Sequence, residues 1–144
     1  MRTKYVPDLQ QAAATSEANF IKLQRVFPQF SGDETRKLEL YHGEQFYGTA
    51  DFEVLERFTY TTTVKLEYQT RNLPMQRFYI RVYDDAHMAE IVISEEGRQL
   101  NGVYPYPNQR MYQKDEKNQL NQLLSEALTQ CMAFGIVAKS SLQV

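Results

Sequence analysis

The amino-acid sequence predicts an α+β fold, in which an N-terminal helix and a long C-terminal helix pack on one face of an antiparallel β-meander of five or six strands. Three observations support this prediction. The chain has 144 residues, of which 42% are hydrophobic and 24% charged, as is usual for a globular domain. Apolar residues recur at helical spacing near both ends of the chain. Between these ends, from Arg36 to about Tyr104, apolar and polar residues alternate with a period of two.

The first helix begins after Pro7, where Asp8 is a suitable N-cap residue. The apolar stripe of this helix follows helical spacing and consists of Leu9, Ala13, Phe20, Leu23 and Phe27. Pro28 disfavours helical geometry in the residue before it, so we expect the helix to end near Val26.

The middle of the chain is typical of successive strands joined by short turns. We expect four strands to present the following residues to the core: Leu38 and Leu40; Phe46, Gly48, Ala50, Phe52 and Val54; Tyr60, Thr62, Val64, Leu66 and Tyr68; and Phe78, Ile80 and Val82. A fifth strand runs from Met88 to Ser94, and a weaker sixth strand follows the turn at Glu95-Glu96-Gly97. Alternation with short turns indicates an antiparallel sheet with one solvated face, because parallel strands need long crossover connections.

The last helix begins at Asp115 and ends at Gly135. One of its faces is apolar and carries Leu120, Leu123, Leu124, Ala127, Leu128 and Cys131. Both helices need an apolar surface to cover, so we expect them on the same face of the sheet. We therefore predict a single domain over residues 1–144, with a compact core in residues 1–135 and a loosely attached tail in residues 136–144.

Composition and motif content exclude several classes of function. With a formal charge of −2 the chain supplies little attraction for nucleic-acid phosphates, so we do not expect nucleic-acid binding. No segment approaches the roughly 18 apolar residues of a membrane helix, and residues 1–10 lack the apolar segment of a secretory signal, so we expect a cytoplasmic protein. One cysteine and two histidines cannot build the common zinc sites. The common phosphate-loop and nucleophile motifs are also absent, and we predict neither a cofactor nor a catalytic residue.

The densest group of potential ligands is Asp84, Asp85, His87 and Glu90, between the fourth and fifth strands. Carboxylates and an imidazole suit Mg²⁺ or Mn²⁺. The same group suggests a small hydrolase or isomerase built around Asp85, His87 and Glu90. On a strand, however, Asp85 and His87 point to one side and Glu90 to the other, which argues against a shared ion. We therefore predict no metal site and retain the enzyme as the alternative function.

Two other groups of residues favour binding. Arginines and tyrosines alternate on the solvated face of the fourth strand, at Arg77, Tyr79, Arg81 and Tyr83. Rings and guanidinium groups in this arrangement can stack on bases or hold phosphates. Cross-strand pairing of the arginines with Asp51, Glu53 and Glu67 is the competing explanation. The second group is the segment from Tyr104 to Lys114, an apolar loop with two prolines, and binding residues concentrate on loops.

Several short motifs resemble a known family. They are Glu17-Ala18-Asn19-Phe20 with Leu23 and Pro28; Tyr60-Thr61-Thr62; Arg81-Val82-Tyr83, Asp85-Ala86 and Met88-Ala89-Glu90; and Tyr106-Pro107-Asn108, Gln113, Asp115-Glu116-Lys117, Gln119, Leu120-Asn121, Cys131 and Gly135. On these residues the chain resembles, from end to end, the YqiB-like family of uncharacterised proteobacterial proteins. Asp84 stands where the family has a histidine, and Phe58-Thr59-Tyr60-Thr61-Thr62 stands where it has Thr-Arg-Tyr-Thr-Thr. The resemblance implies no reaction, cofactor or catalytic residue.

We predict a non-enzymatic cytoplasmic binding or adaptor module for a protein or a small nucleotide-like ligand, with the small hydrolase or isomerase as the alternative. The expected binding residues come from the fourth strand, the turn and strand after it, the tyrosine-rich loop and the start of the last helix: Arg81, Tyr83, Asp85, Glu90, Tyr104, Tyr106, Asn108, Gln113 and Lys117. The lack of a recognisable nucleophile, phosphate loop or metal set favours the binding module. An exposed edge strand leaves a homodimer open as well.

Overall fold

A computed structural model describes residues 9–28, 35–92 and 109–137 of the chain. Helix α1 spans Leu9–Val26, and helix α2 spans Gln109–Phe134. Strands β1 to β5 lie between them and span Thr35–His42, Gln45–Arg57, Thr61–Thr70, Gln76–Tyr83 and Met88–Ile91; strand β6 follows α2 and spans Gly135–Val137. The predicted α+β class is confirmed, and α1 ends where Pro28 predicted.

The six strands form one antiparallel sheet in the order β5-β4-β3-β2-β1-β6. Strands β1 to β5 follow one another as the predicted meander. Strand β6 continues directly from α2 and pairs with β1, a pairing that the sequence analysis did not predict. Ile136 and Val137, which were assigned to the tail, are therefore part of the sheet. The sequence analysis missed this strand because three residues are too few to show a period of two. The sixth strand predicted after Gly97 and residues 138–144 lie outside the described residues.

Both helices cover the same face of the sheet, as predicted. The core unites the apolar stripes of the two helices with the inward residues of the strands, and its largest fully buried members include Leu23, Phe27, Phe52, Leu66, Ile80, Leu124 and Leu128. Polar contacts between described residues also join the helices. Asn19 Nδ2 donates to the backbone oxygen of Asn121 at 3.3 Å, and Lys22 Nζ donates to Ser125 Oγ at 2.7 Å. Neither described helix combines the length and the apolar character needed to cross a membrane.

Helix α2 begins earlier than the sequence analysis predicted. Residues 109–114 are helical, whereas they were expected to belong to the tyrosine-rich loop. The prediction was wrong because Pro105 and Pro107 both precede the helix, and residues 109–114 themselves contain neither proline nor glycine. The helix is therefore 26 residues long, or roughly 39 Å at 1.5 Å per residue.

A β-bulge places Phe46 outside the core. The register of the β1–β2 pair shifts between Leu40 and Tyr41, which leaves Tyr47 as an extra residue on β2. Phe46 consequently pairs with Tyr41 on the solvated face, where the two rings meet edge to face at 5.7 Å. The prediction of Phe46 as a core residue was wrong, since the bulge reverses the alternation at this end of β2, and the side chain is 49% exposed.

Candidate functional site

The solvated face of the sheet carries pairs of opposite charges between neighbouring strands. Arg77 Nε on β4 lies 2.6 Å from a carboxylate oxygen of Glu67 on β3. Lys65 Nζ on β3 lies 3.2 Å from Glu53 on β2. The members of each pair stand opposite each other in the register. Cross-strand charge pairing therefore explains Arg77, and such partly exposed pairs contribute at most about 1 kcal/mol each.

Asp51 lies on the same face and is partly buried. Its Oδ1 atom is buried and has no hydrogen-bond partner among the described residues. Burial is the main cause that raises the pKa of Asp51, while the charge of Lys37, its partner in the β1–β2 register, lowers it. Among the described residues Asp51 forms no ion pair with an arginine, so cross-strand pairing of the arginines does not extend to it.

Four of the predicted binding residues meet where β4, β5 and α2 adjoin. Glu90 on β5 stands opposite Arg81 on β4 in the register. Its Oε2 atom accepts a hydrogen bond from the hydroxyl of Tyr83 at 2.9 Å, and its Oε1 atom lies 3.3 Å from Lys117 Nζ on α2. We name this group, Arg81, Tyr83, Glu90 and Lys117, the Glu90 cluster. Burial, and then the hydrogen bond to Glu90, raise the pKa of Tyr83, so its hydroxyl stays protonated at neutral pH.

The other predicted binding residues do not join the Glu90 cluster. Asp85 is exposed in the β4–β5 turn and forms no hydrogen bond or ion pair with another described residue. Tyr104, Tyr106 and Asn108 lie outside the described residues, as does the side chain of Gln113.

Asp85, His87 and Glu90 do not converge on one site. His87 has a left-handed backbone conformation, with φ of 56°, and its ring stacks on that of Phe20 on α1 with 4.9 Å between the centroids. Phe20 belongs to the core on the helix-covered face, whereas Glu90 shares the opposite face with Arg81. Within residues 9–28, 35–92 and 109–137, no group of three His, Cys, Asp or Glu side chains is arranged to hold a metal ion. The alternative function as a hydrolase or isomerase gains no support from this geometry.

An exposed aromatic turn between β2 and β3 was missed by the sequence analysis. Phe58 and Tyr60 each expose 62% of their surface. The prediction of Tyr60 as a core residue was wrong, because β3 begins one residue later, at Thr61. We name residues 58–60 the aromatic turn. The turn was hard to predict because the residues from Arg57 to Tyr60 include none of Gly, Pro, Asn, Asp or Ser, which are the usual turn formers.

Two backbone hydrogen bonds fix the aromatic turn beside the Glu90 cluster. The amide of Phe58 donates to the carbonyl of Thr61 at 2.8 Å, and the carbonyl of Tyr60 accepts from the amide of Asp84 at 2.9 Å. Thr61 also stands opposite Tyr83 in the β3–β4 register. The aromatic turn and the Glu90 cluster therefore lie at the same end of the sheet, on adjacent strands.

Comparison with known proteins assigns the family. The family described as "Protein of unknown function (DUF1249)" matches residues 22–137, which include the aromatic turn and the Glu90 cluster. The chain belongs to this family. It is 30% identical over 139 residues to "Uncharacterized protein YqiB" of Escherichia coli strain K12, a match that covers 94% of this chain and 96% of the relative. The proteins of the same description from E. coli O6:H1 and O157:H7 match equally well. No solved structure matches the chain. The resemblance to a YqiB-like family of unknown function is thus confirmed.

Proposed function

We propose that this DUF1249 protein is a non-enzymatic adaptor that binds a protein partner through the aromatic turn and the adjoining Glu90 cluster. The proposal depends above all on the 62% exposure of both Phe58 and Tyr60 at one hairpin tip. Neighbouring exposed apolar side chains are typical of interaction sites. Aromatic residues also contribute a large share of the energy at the centre of protein interfaces.

The charges around the aromatic turn favour a protein over a nucleotide-like ligand. Asp84 and Asp85 follow β4 directly beside Tyr60, and their carboxylates repel phosphate groups. The Glu90 cluster adds a carboxylate next to the positive charges of Arg81 and Lys117. An apolar centre with a rim of both charges is the usual composition of a protein–protein interface. The partner surface should therefore offer an apolar pocket bordered by charges of both signs.

The hydrogen bonds of the aromatic turn prepare it for binding. Because the backbone at Phe58 and Tyr60 is already held by Thr61 and Asp84, association does not have to order this segment. An ordered binding element lowers the entropic cost of association. The six-stranded sheet holds both ends of this hairpin, so the two aromatic residues are already ordered before a partner binds.

The experiment begins with a photoreactive amino acid in place of Thr59, which is exposed between the two aromatic residues. Cross-linking in cells that express the protein, followed by mass spectrometry, identifies the proteins captured at this position. The same label in place of Asn72, exposed in the β3–β4 turn at the opposite end of the sheet, is the matched control. We expect one protein to be captured from position 59 and not from position 72.

The captured protein is then purified, and its affinity is measured by calorimetry. We expect the Phe58→Ser/Tyr60→Ser variant to bind at least about tenfold more weakly, which corresponds to about 1.4 kcal/mol. The control variant Leu73→Ser/Met75→Ser changes two residues of the β3–β4 turn that are 58% and 42% exposed, and it should bind like the unmodified protein. Equal affinity of the two variants would refute the proposal. Capture of a second copy alone would instead make the turn a self-association surface.

A further inference from the structure

A cleft of about 220 Å³ opens beside β1 and β6, at the sheet edge opposite the Glu90 cluster. Among the described residues, apolar or small ones line it: Val26, Leu38, Cys131, Met132, Gly135 and Val137. Arg25, in the last turn of α1, and Arg36, near the start of β1, line it as well. The surface that the cleft exposes is mostly polar, and Val26, Leu38 and Cys131 are almost wholly buried behind it.

The two arginines lack acidic partners within the described residues. Arg36 Nη1 donates to the backbone oxygen of Val26 at 3.5 Å, which is long for a hydrogen bond. Neither Arg25 nor Arg36 forms an ion pair in the part of the chain that the structure describes, whereas Arg77 and Lys65 on the solvated face both do. Two guanidinium groups beside one cleft can therefore donate charge-assisted hydrogen bonds to an anion inside it.

We propose that this cleft binds a small carboxylate with a hydrocarbon body. A guanidinium group matches the two oxygens of a carboxylate in a bidentate geometry. The side chains of Met132 and Val137, which are more exposed than the other apolar lining residues, supply apolar contacts for the hydrocarbon part. The volume is below the range of about 300–1,000 Å³ that is usual for drug-sized ligands, so the cleft suits a small acid better than a nucleotide.

The helix dipole is the competing explanation for the arginines. Positive side chains near a helix C-terminus stabilise the helix, and Arg25 and Arg36 both lie close to the end of α1. Under that explanation, loss of their charges lowers stability but affects no ligand. Binding must therefore be measured separately from folding.

The direct test is an NMR titration of the ¹⁵N-labelled protein with hexanoate, with neutral hexanamide as the chemical control. We expect saturable shifts for amides around Arg25, Leu38 and Gly135, and affinity for hexanamide at least about tenfold weaker. Arg25→Gln/Arg36→Gln should lose at least the same factor in affinity for hexanoate. The control Arg71→Gln removes one exposed arginine from the β3–β4 turn and should bind hexanoate normally. Equal affinities for hexanoate and hexanamide, or for the double variant and the control, would overturn the proposal.

Cys131 supplies a second readout that does not depend on the variants folding well. It is the single cysteine of the chain, it lines the cleft, and burial raises its pKa to about 12. Hexanoate in the cleft should slow alkylation of this thiol by iodoacetamide in the unmodified protein, whereas hexanamide should not. An unchanged alkylation rate at saturating hexanoate would contradict the proposed site. This outcome would leave the proposed partner surface unaffected, because the two sites lie at opposite edges of the sheet.

Discussion

The side chain of Asn121 accepts a hydrogen bond from the backbone amide of Ile91, with 2.7 Å between Oδ1 and N. Ile91 ends β5, which is an edge strand of the sheet that the described residues form. The next amide, that of Val92, donates to Tyr79 on β4, so the amide of Ile91 points away from the sheet. Helix α2 thus satisfies an edge amide that would otherwise be open to pairing with another strand.

The Asn121 contact predicts a clear loss of stability when its side chain is changed. Asn121→Leu leaves the buried amide of Ile91 without an acceptor, which should lower the free energy of unfolding by about 1–3 kcal/mol. Urea denaturation measures the difference. The control Gln122→Leu changes an exposed neighbour on the same helix and should remain within about 0.5 kcal/mol of the unmodified protein. Equal stability of the two variants would mean that the edge amide does not depend on α2.

Two glycines should respond differently to substitution by alanine. A Cβ at Gly48 on β2 would overlap the backbone carbonyl of Gln69 on β3. Gly48→Ala should therefore lower the free energy of unfolding by about 3 kcal/mol. Gly43, in the β1–β2 turn, has φ of +64° and open space where a methyl group would lie. Gly43→Ala should lower the free energy of unfolding by only about 1–2 kcal/mol, because alanine disfavours the left-handed backbone. Thermal unfolding of both variants tests this order. A reversed order would show that β2 and β3 separate readily at Gly48.

Local rules of the sequence were sufficient for much of the fold. Pro28 predicted the end of α1, and the period of two predicted the meander, because both effects act over a few residues. Phe46 was misplaced because a bulge shifts the register without changing the composition of the strand. The pairing of Ile136 with β1 depends on where α2 ends in space, which residue spacing does not encode.

The candidate site was predictable to a similar degree. Arg81, Tyr83 and Glu90 are close together because a short turn joins their strands and sets which residues face each other. The approach of Lys117 depends on how α2 crosses the sheet, so the sequence could suggest this residue but not its contact with Glu90. Phe58 was missed because periodicity identifies residues that face the core, and a turn residue has no such pattern.

The Glu90 cluster makes a prediction about the pKa of Tyr83. Burial raises this pKa above its usual value of 10.0, and the carboxylate of Glu90 raises it further. Glu90→Gln removes the negative charge, so the pKa of Tyr83 should fall, while burial continues to raise it and the charge of Arg81 continues to lower it. The ¹³C resonance of the tyrosine ring, followed against pH, measures the change. Glu67→Gln, on the same face but paired with Arg77, should not alter the titration of Tyr83. An equal shift in both variants would show that Glu90 has no specific effect.

The raised pKa values of two buried groups predict how the free energy of unfolding changes at alkaline pH. Burial raises the pKa of Cys131 from 9.0 to about 12 and that of Tyr68 from 10.0 to about 12. In the unfolded chain these groups ionise near their usual values, so the unfolded state loses protons first and stability falls as the pH rises. Their contribution is fully present below about pH 9 and is lost progressively towards pH 12.

The thiol should account for the first part of this alkaline loss. Between about pH 9 and 10 Cys131 differs more in protonation between the two states than Tyr68 does, because its usual pKa is lower, and one proton changes stability by at most about 1.4 kcal/mol per pH unit. Cys131→Ala should therefore flatten the decline that begins near pH 9, whatever its effect on stability at neutral pH. Tyr68→Phe should act mainly above about pH 10, and less strongly, because burial raises the pKa of Tyr68 from 10.0 to about 12 but that of Cys131 from 9.0 to about 12. Urea denaturation over this range measures both slopes. Parallel curves for Cys131→Ala and the unmodified protein would mean that the thiol ionises as readily in the folded protein as in the unfolded chain.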